Sequence, residues 1–264
     1  MEDILVVIPA RGGSKGLPGK NIKMLCGKPL IAYSIDVARA ITSDENICVS
    51  TDDQHIIEVV ESYGLKVPFT RPAEYATDSA TTNDVLLHAV EFYEKQGKHY
   101  SKLLLLQPTS PLRKVEEVKD AIALYRNDID MVVSVMKSHA PAVLCNDNEE
   151  GFVELVYNKK AQGRQSLPTL YEFNGAIYVI NIEALIDKGL AGFDKRIKYV
   201  MPKESSIDID DIYDFMLVEN IMDNKRLTTL RWGGVNLCNT IDYKLYDGLV
   251  VVSANVQLLN RNAA

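Results

Sequence analysis

The chain has 264 residues, of which 47% are hydrophobic and 25% are charged, and its formal net charge is −7. This length and composition suit one main globular domain with a sizeable core, and they exclude the disordered and fibrous classes. The negative charge repels a phosphate backbone, so we expect no nucleic-acid partner, and a polyanionic ligand would need cations gathered in one site.

The N-terminus predicts a buried first strand. Glu2 and Asp3 precede the apolar run Ile4–Ile8. The run is too short for a membrane span, and it lacks the basic start of a signal peptide. We therefore expect a cytoplasmic protein with no membrane partner.

Short apolar runs rich in β-branched residues alternate with helical patterns in the first half of the chain. The predicted strands are Ile4–Ala10, Asn46–Thr51, Lys102–Gln107 and Asp130–Val135. The predicted helices are Pro29–Ala40, Asp53–Gly64, Thr82–Gln96 and Val115–Asn127. Thr82 is the expected N-cap of the third helix. Because apolar strands joined by helices are typical of a sheet covered on both faces, the pattern predicts an α/β fold with a parallel sheet.

The segment after the first strand, Pro9–Asn21, contains four glycines and three cationic side chains. Ligands of open α/β sheets bind at this end of the strands. Glycines let backbone N–H groups approach phosphate oxygens, and Arg11 and Lys20 can neutralise phosphate charge. The segment matches neither the Walker A motif nor G-x-G-x-x-G. It predicts a triphosphate-binding loop, the alternative being a flexible connection whose cations face water.

Residues 138–170 interrupt the α/β pattern, because they are richer in Pro, Gly, Asn and charge. A segment of this kind inside a compact domain is usually functional or packed against something else, so we interpret it as an inserted arm. The pattern resumes with a strand at 174–180, a helix at 182–188, a strand near Tyr199 and a helix at 211–222. We therefore predict a domain over 1–225 that includes the arm, and a C-terminal extension of unassigned role over 226–264.

Asp208 and Asp210 alternate with Ile207 and Ile209. In an extended strand both carboxylates would point to one side. Mg²⁺ is usually held by one or two carboxylates together with substrate phosphates, so the pair predicts a Mg²⁺ site. A solvated strand face is the alternative. Asp-x-Asp also occurs in metal-dependent nucleotide-sugar glycosyltransferases, which do not account for the cationic loop.

Residues Ile8–Asn21 resemble the signature of the acylneuraminate cytidylyltransferases, also called CMP-sialic acid synthetases. The resemblance covers residues 4–225 and continues through Arg71-Pro72, Asp84–Leu86, Gln107–Arg113, Arg164-Gln165, Asn174–Ala176 and Ile207–Asp210. It implies a Rossmann-like nucleotidyltransferase fold with a mostly parallel central sheet and an inserted dimerisation arm.

The resemblance also implies roles for individual residues. The nucleotide would be bound by Arg11, Gly12, Gly13, Ser14, Lys20 and Asn21 at its phosphates and ribose, and by Arg71, Ala80 and Thr82 at cytosine. The sugar acid would be contacted by Gln107, Arg164, Tyr178 and Phe193, and Mg²⁺ would be bound by Asp208 and Asp210. Ser166 departs from the family, which often has an acidic residue there.

The sugar-binding residues have alternatives that the sequence leaves open. Gln107 could instead satisfy loop backbone at a strand end, and Tyr178 and Phe193 could be core residues. Arg164 could be a surface residue of a mobile loop.

The sequence thus predicts an enzyme that converts CTP and N-acylneuraminate into CMP-N-acylneuraminate and diphosphate, with Arg11, Lys20, Asp208 and Asp210 as catalytic residues. The acid could instead be legionaminic, pseudaminic, Kdn or Kdo. A glycosyltransferase and a regulatory nucleotide-binding module are the rival hypotheses, and both predict no diphosphate release. The resemblance further implies a homodimer in which the arm at 138–170 carries Arg164 into the partner's active site.

Overall fold

The structure, a computed structural model, divides the chain into two compact units, Met1–Phe215 and Met216–Ala264. It describes residues 3–14, 16–138 and 169–223 in full, and the backbone alone of 145–147, 153–155, 224–230, 237–246 and 249–258. Arg164 and most of the predicted arm lie outside the described residues.

A mostly parallel sheet forms the centre of the first unit. The strands are β1 (Ile4–Pro9), β2 (Met24–Leu25), β3 (Lys28–Pro29), β4 (Ile47–Ser50), β5 (Lys102–Leu105), β6 (Met131–Lys137), β7 (Cys145–Asp147), β8 (Val153–Leu155), β9 (Tyr171–Asn181) and β10 (Arg196–Val200). Among the described residues, the central sheet has six strands in the order β10-β6-β9-β5-β1-β4. β9 runs antiparallel to β5 and β6, whereas the other neighbours are parallel. The predicted α/β class with a mostly parallel sheet is confirmed.

Helices connect these strands. They are α1 (Leu30–Arg39), α2 (Gln54–Ser62), α3 (Thr82–Lys95), α4 (Val115–Ala123), α5 (Ile182–Lys188) and α6 (Ile212–Leu230). The sequence of α3 shows why such segments are helical, because its buried side chains recur every three or four positions. They are Val85, Leu86, Ala89, Val90 and Tyr93.

The N-cap of α3 is Thr81, so the prediction of Thr82 is wrong. The Thr81 hydroxyl accepts a hydrogen bond from the Asp84 N–H at 3.3 Å, and the Asp84 carboxylate accepts one from the Thr81 N–H at 2.9 Å. This reciprocal capping box satisfies two N–H groups that the helix cannot bond internally. The Thr-x-x-Asp spacing begins at Thr81, and it therefore selects that residue over Thr82.

Apolar clusters cover both faces of the sheet. In β1, alternate residues belong to opposite clusters, with Ile4, Val6 and Ile8 on one face and Leu5 and Val7 on the other. Fully burying a side chain of this size stabilises the fold by about 1.5–3 kcal/mol. Burial on both faces explains why the strands are continuous apolar runs instead of alternating ones.

The parallel arrangement brings three loops to one edge of the sheet. β1 lies between β4 and β5, with Pro9 opposite Ser50 and Val7 opposite Leu105. The carboxyl ends of these three strands therefore meet. The loops that follow them carry Arg11, Asp52 and Gln107.

The second unit contains the later part of α6 and a hairpin. The hairpin strands are β11 (Leu237–Tyr246) and β12 (Leu249–Leu258), which pair antiparallel. The predicted domain boundary at residue 226 falls within α6. In the part of the chain that the structure describes, no helix is long and apolar enough to cross a membrane.

Candidate active site

A polar cleft of about 380 Å³ opens at the carboxyl edge of the sheet. Its lining comes from the loops after β1 and β5 and from the segment Ile207–Asp210, called the acidic segment below. The lining residues are Pro9, Arg11, Ser14, Gly16, Lys20, Asn21, Gln107, Pro108, Thr109 and Asp210. The cleft therefore gathers predicted phosphate-binding residues, a predicted sugar contact and a predicted metal ligand. A larger depression of about 1040 Å³ at the opposite edge gathers none of the predicted site residues.

Two glycines let the loop after β1 pack closely against acidic neighbours. A Cβ at Gly12 would lie 2.4 Å from Oδ2 of Asp53, and one at Gly16 would lie 2.4 Å from the carbonyl oxygen of Asp210. The Gly12 N–H donates to Oδ1 of Asp52 at 3.0 Å. A side chain at either glycine would push the loop away from these groups. Gly13, in contrast, is exposed and has open space around it.

Lys20 is the buried cation of the cleft. It follows Gly19, whose φ of +65° lies in the left-handed region that glycine adopts readily. The Lys20 ammonium donates to the carbonyl oxygen of Ile209 and lies 3.6 Å from Oδ1 of Asp210, with a side chain that is 11% exposed. The charge is thus held in place before any ligand binds, which is what electrostatic stabilisation of a reaction requires.

Arg11 lies at the open side of the cleft. Its Nη1 forms an ion pair with Oδ1 of Asp78 at 3.0 Å, and its side chain is 39% exposed. The buried Asn21 donates from Nδ2 to the Arg11 carbonyl oxygen at 3.1 Å and so orders the loop backbone. Because exposed ion pairs contribute only about 0.2–1 kcal/mol, Arg11 can exchange Asp78 for a phosphate at little cost.

Asp208 and Asp210 lie in an irregular segment, so the predicted strand at this position is wrong. The segment is held through Ile209, whose N–H donates to the Thr109 carbonyl oxygen at 2.9 Å and whose carbonyl oxygen accepts from Lys20. Ile209 itself is fully buried, whereas the Asp210 side chain is exposed. Hydrogen bonds to residues far away in the sequence thus hold this segment, in place of the strand-to-strand hydrogen bonds that its alternating sequence predicts.

The Asp208 carboxylate is half-buried and incompletely satisfied. Its Oδ1 is buried and accepts no hydrogen bond from any described residue. Burial raises the pKa of Asp208, although the nearby Thr109 hydroxyl and the Lys20 ammonium oppose that shift. The Thr109 hydroxyl is also buried and has no hydrogen-bond partner among the described residues. It therefore acts on Asp208 through its proximity and not through a well-aligned hydrogen bond.

These two carboxylates fit a hard divalent cation. An orphaned, buried carboxylate oxygen beside an exposed carboxylate is a donor set that Mg²⁺ accepts together with substrate oxygens or water. Within the described residues there is no cluster of three or more His, Cys, Asp or Glu side chains that could hold a metal alone. Phosphate oxygens or water would therefore complete the coordination.

Asp211 and Asp214 cap the start of α6. Oδ1 of Asp211 accepts from the N–H groups of Tyr213 and Asp214 at 2.8 and 3.0 Å. Oδ2 of Asp214 accepts from the N–H of Asp210 at 3.0 Å. The helix start therefore also fixes the backbone of the predicted metal ligand.

The residues predicted to recognise cytosine lie outside the cleft lining. Arg71 is 5% exposed, and its guanidinium donates to the hydroxyl and carbonyl oxygens of Ser50 and to the carbonyl oxygen of Tyr75. Burial lowers the pKa of Arg71. The Ala80 N–H donates to Oγ1 of Thr77 at 3.1 Å, and Thr82 is exposed. Their roles toward the base stay predictions.

The predicted sugar-binding residues fall in different environments. Gln107 lines the cleft. Tyr178 is half-buried on β9 and packs against an apolar cluster, and burial together with the negative charge of Asp208 raises the pKa of its hydroxyl. Phe193 is 3% exposed inside an apolar cluster, and for this residue the structure supports the core alternative. Arg164 lies outside the described residues.

The sequence assigned no role to two buried polar residues near the cleft, although both lie in motifs of the family resemblance. Arg113 donates to the carbonyl oxygens of Gln107 and Ala176 and to the hydroxyl of Ser34. Asn174 donates to the Ser206 hydroxyl at 2.9 Å, and the following Gly175 has a φ of +71° and faces the Asp208 carboxylate. The Asn-Gly pair inside a predicted strand was an available signal, because it marks an irregularity where backbone approaches another group closely.

Comparison with known proteins gives a consistent set of relatives. A family model described as Cytidylyltransferase matches residues 5–227. The N-acylneuraminate cytidylyltransferase of Escherichia coli O18:K1:H7 (strain RS218 / NMEC) is 37% identical over 228 residues, which are 84% of this chain and 52% of the relative. The CMP-N,N'-diacetyllegionaminic acid synthase of Legionella pneumophila (strain Philadelphia 1) is 34% identical over 223 residues, 83% of this chain and 96% of the relative. The chain therefore spans about half the length of the first relative (52%) and nearly all of the second (96%).

A solved structure supports the fold. A CMP:2-keto-3-deoxy-manno-octonic acid synthetase complexed with CTP has a TM-score of 0.60 and 19% sequence identity, and the match covers 84% of this chain and 99% of that one. At this identity the likeness concerns the fold alone.

Proposed function

The chain belongs to the cytidylyltransferase family, and from this membership we propose that it transfers CMP from CTP to a nonulosonic acid and releases diphosphate. N-acylneuraminate is the proposed acid, in keeping with the 37% identical relative. Legionaminic, pseudaminic, Kdn and Kdo acids are the alternatives, of which the first has a relative at 34% identity. Membership of this family leaves the glycosyltransferase hypothesis without support.

The observation that carries the proposal is the cleft that Arg11, Lys20, Gln107 and Asp210 share. Two cations and the Asp210 carboxylate in one cleft suit a substrate that binds with both phosphates and a metal. In the proposed complex, Lys20 and Arg11 hold the phosphates of CTP, and Gln107 contacts the sugar acid on the opposite loop. This arrangement places the two substrates side by side.

The reaction needs no covalent enzyme intermediate. The anomeric hydroxyl oxygen of the acid bonds to the α-phosphorus of CTP, while the bond from that phosphorus to the diphosphate oxygen breaks and the hydroxyl proton passes to solvent. Positioning and charge stabilisation dominate such phosphoryl-type transfers. Lys20 and Arg11 would stabilise the charge that develops on the departing diphosphate.

Mg²⁺ is the proposed cofactor, and Asp208 and Asp210 would hold it. The buried Oδ1 of Asp208, which lacks a partner among the described residues, supports this assignment. When bound, the ion would neutralise phosphate oxygens and polarise the phosphoryl group.

We also propose a homodimer in which the arm at 138–170 delivers Arg164 to the partner's cleft. The chemical reason is that a guanidinium binds the carboxylate of a sugar acid with two parallel hydrogen bonds. The arm's other residues would supply the dimer contact.

A diphosphate-release assay tests the proposal. The protein is incubated with Mg²⁺ and each of ATP, GTP, CTP and UTP, in combination with each nonulosonic acid. We expect release only when CTP and an acid are both present, with N-acylneuraminate giving the highest kcat/KM. Release without any acid would indicate a nucleotide hydrolase, and the absence of release from every combination would refute the proposed transfer.

A further inference from the structure

Arg113 is a buried cation beneath the proposed active site. It is 4% exposed, and its guanidinium is bound by neutral oxygens. Nη1 donates to the carbonyl oxygens of Ala176 at 2.5 Å and Gln107 at 3.3 Å, and Nη2 donates to the hydroxyl of Ser34 at 2.7 Å. Among the described residues, Nε has no partner and no carboxylate lies within 4.0 Å of the guanidinium.

Burial of this guanidinium is costly without a paired anion. The carboxylates of Glu117 and Asp208 act on its charge only from beyond ion-pair distance, and burial lowers the pKa of Arg113 to about 9. Burial of a charge with incomplete pairing generally weakens a fold compared with a well-packed apolar residue. The hydrogen bonds of Arg113 indicate a role that accounts for this costly burial.

The guanidinium orders the turn that carries Gln107. The Gln107 carbonyl oxygen accepts from Arg113 and also from the Ser34 hydroxyl at 3.1 Å, so two donors fix the peptide that follows Gln107. Thr109, two residues later, accepts from the Ile209 N–H at 2.9 Å. The same turn is therefore connected to both the cleft and the acidic segment.

The neighbouring strand end is built in the same way. Arg71, buried like Arg113, donates to the hydroxyl and carbonyl oxygens of Ser50 at the end of β4. A buried arginine thus holds a carbonyl oxygen near the end of each strand that flanks β1. These oxygens belong to Ser50, the last residue of β4, and to Gln107, two residues after β5. This repetition at one edge of the sheet indicates that the exact course of these loops matters.

On the basis of the proposed function, we propose that Arg113 is a positioning residue that holds the Gln107 peptide so that the Gln107 amide points at the acid substrate. Arg113 itself lies below the cleft and touches no substrate. It acts through Gln107, and its loss should affect the acid more than CTP. A displacement of about 1 Å at such a contact is enough to change turnover strongly.

The test is a double-mutant cycle with Arg113→Lys and Gln107→Ala. Lysine keeps the charge, but its single ammonium cannot reproduce the planar fork that bonds three oxygens. We expect Arg113→Lys to raise the KM for the acid about tenfold and to change the KM for CTP by less than about twofold. In the Gln107→Ala background, the same substitution should change the KM for the acid by less than about twofold, because the group it positions is gone.

Two further variants separate positioning from folding. Ser34→Ala removes one donor to the Gln107 carbonyl and one acceptor from Arg113, and it should give the same KM split at smaller size. Arg39→Lys is the matched control, because Arg39 donates to the carbonyl oxygens of Tyr63 and Gly64 at 3.3 and 3.0 Å away from the cleft. It should leave both KM values unchanged.

A purely structural role predicts a different outcome. Loss of folded enzyme lowers the maximal rate at fixed protein and moves neither KM. An equal change of the acid KM in both backgrounds, or a parallel rise of the CTP KM, would overturn the proposal, as would an unchanged acid KM in Arg113→Lys.

Crystal structures of the wild type and Arg113→Lys give a readout that does not depend on turnover. We expect the Gln107 amide to leave the cleft lining in the variant, whereas an unmoved Gln107 would overturn the proposal. If the wild type makes no CMP-sugar, the proposed function fails, and these two structures still decide whether Arg113 positions Gln107.

Discussion

Replacing Lys20 with methionine removes one charge from the cleft and keeps an unbranched side chain of similar length. Two interactions are lost together: the hydrogen bond to the Ile209 carbonyl and the 3.6 Å contact with the Asp210 carboxylate. The first concerns stability. The loss of the charge itself concerns the phosphates of the substrate.

The two effects differ in size and can be measured separately. Leaving the Ile209 carbonyl oxygen without its donor should lower the free energy of unfolding by about 1–3 kcal/mol. Each kcal/mol corresponds to a fall of about 2–4 °C in Tm for a chain of this size. The contact with Asp210, whose side chain is 82% exposed, adds little. Loss of a preorganised charge at the reacting phosphates should lower kcat by about 10²–10³.

Diphosphate release at saturating CTP and acid gives kcat, and circular dichroism melting gives Tm. Lys188→Met is the matched control, since the Lys188 ammonium donates to the buried Asp130 carboxylate at 2.9 Å at the opposite edge of the sheet. It should lower Tm and leave kcat at the wild-type value. A folded Lys20→Met variant with wild-type kcat/KM would refute the assignment of Lys20 to the phosphates.

Asp208→Asn and Asp210→Asn should each abolish Mg²⁺-dependent diphosphate release, because a neutral amide is a poor ligand for a hard cation; wild-type Mg²⁺ titration curves in both variants would place the metal elsewhere. In mixtures of Arg164→Ala with Lys20→Met subunits that exchange, a trans-acting Arg164 gives each mixed dimer one site without any lesion, so each mixed dimer should recover about half of the wild-type activity. An Arg164 that acts within its own subunit predicts no recovery. Deletion of residues 231–264 should lower solubility, measured by sedimentation, more than it lowers kcat/KM, because the deletion leaves the cleft residues in place; a soluble and fully active truncation would show that the extension is dispensable.

The sequence predicted those parts of the fold that depend on local periodicity. The buried residues of α3 recur with a helical period, and β1 and β5 are short continuous apolar runs. The loop after β1 was recognisable for the same reason, because its glycines and cations are contiguous in the chain. Such features need no knowledge of distant contacts.

The sequence could not show what long-range contacts decide. The Ile207–Asp210 segment alternates like a strand, but Ile209 instead donates to the Thr109 carbonyl oxygen and accepts from Lys20. Phe193 could line a pocket or the core, and only the packed structure separates the two. The sequence also carries no sign that Arg113 is buried, because arginine is usually exposed and its partners come from α1, β9 and the loop after β5.

The placement of buried cations indicates how a chain of net charge −7 would bind the proposed triphosphate. Within the described residues, the buried cationic side chains are Lys20, Arg71 and Arg113, and all three lie at the carboxyl edge of the sheet. Arg71 and Arg113 donate to protein oxygens beside the loops and do not line the cleft, whereas Lys20 donates to the Ile209 carbonyl oxygen and also lines the cleft with Arg11. Charges in a partly desolvated site are screened less by salt than surface charges. The cations that the proposed triphosphate would need are therefore gathered at one edge of one sheet. In the proposed function, the two buried arginines at that edge also hold the loops that would bring the acid substrate to the phosphate.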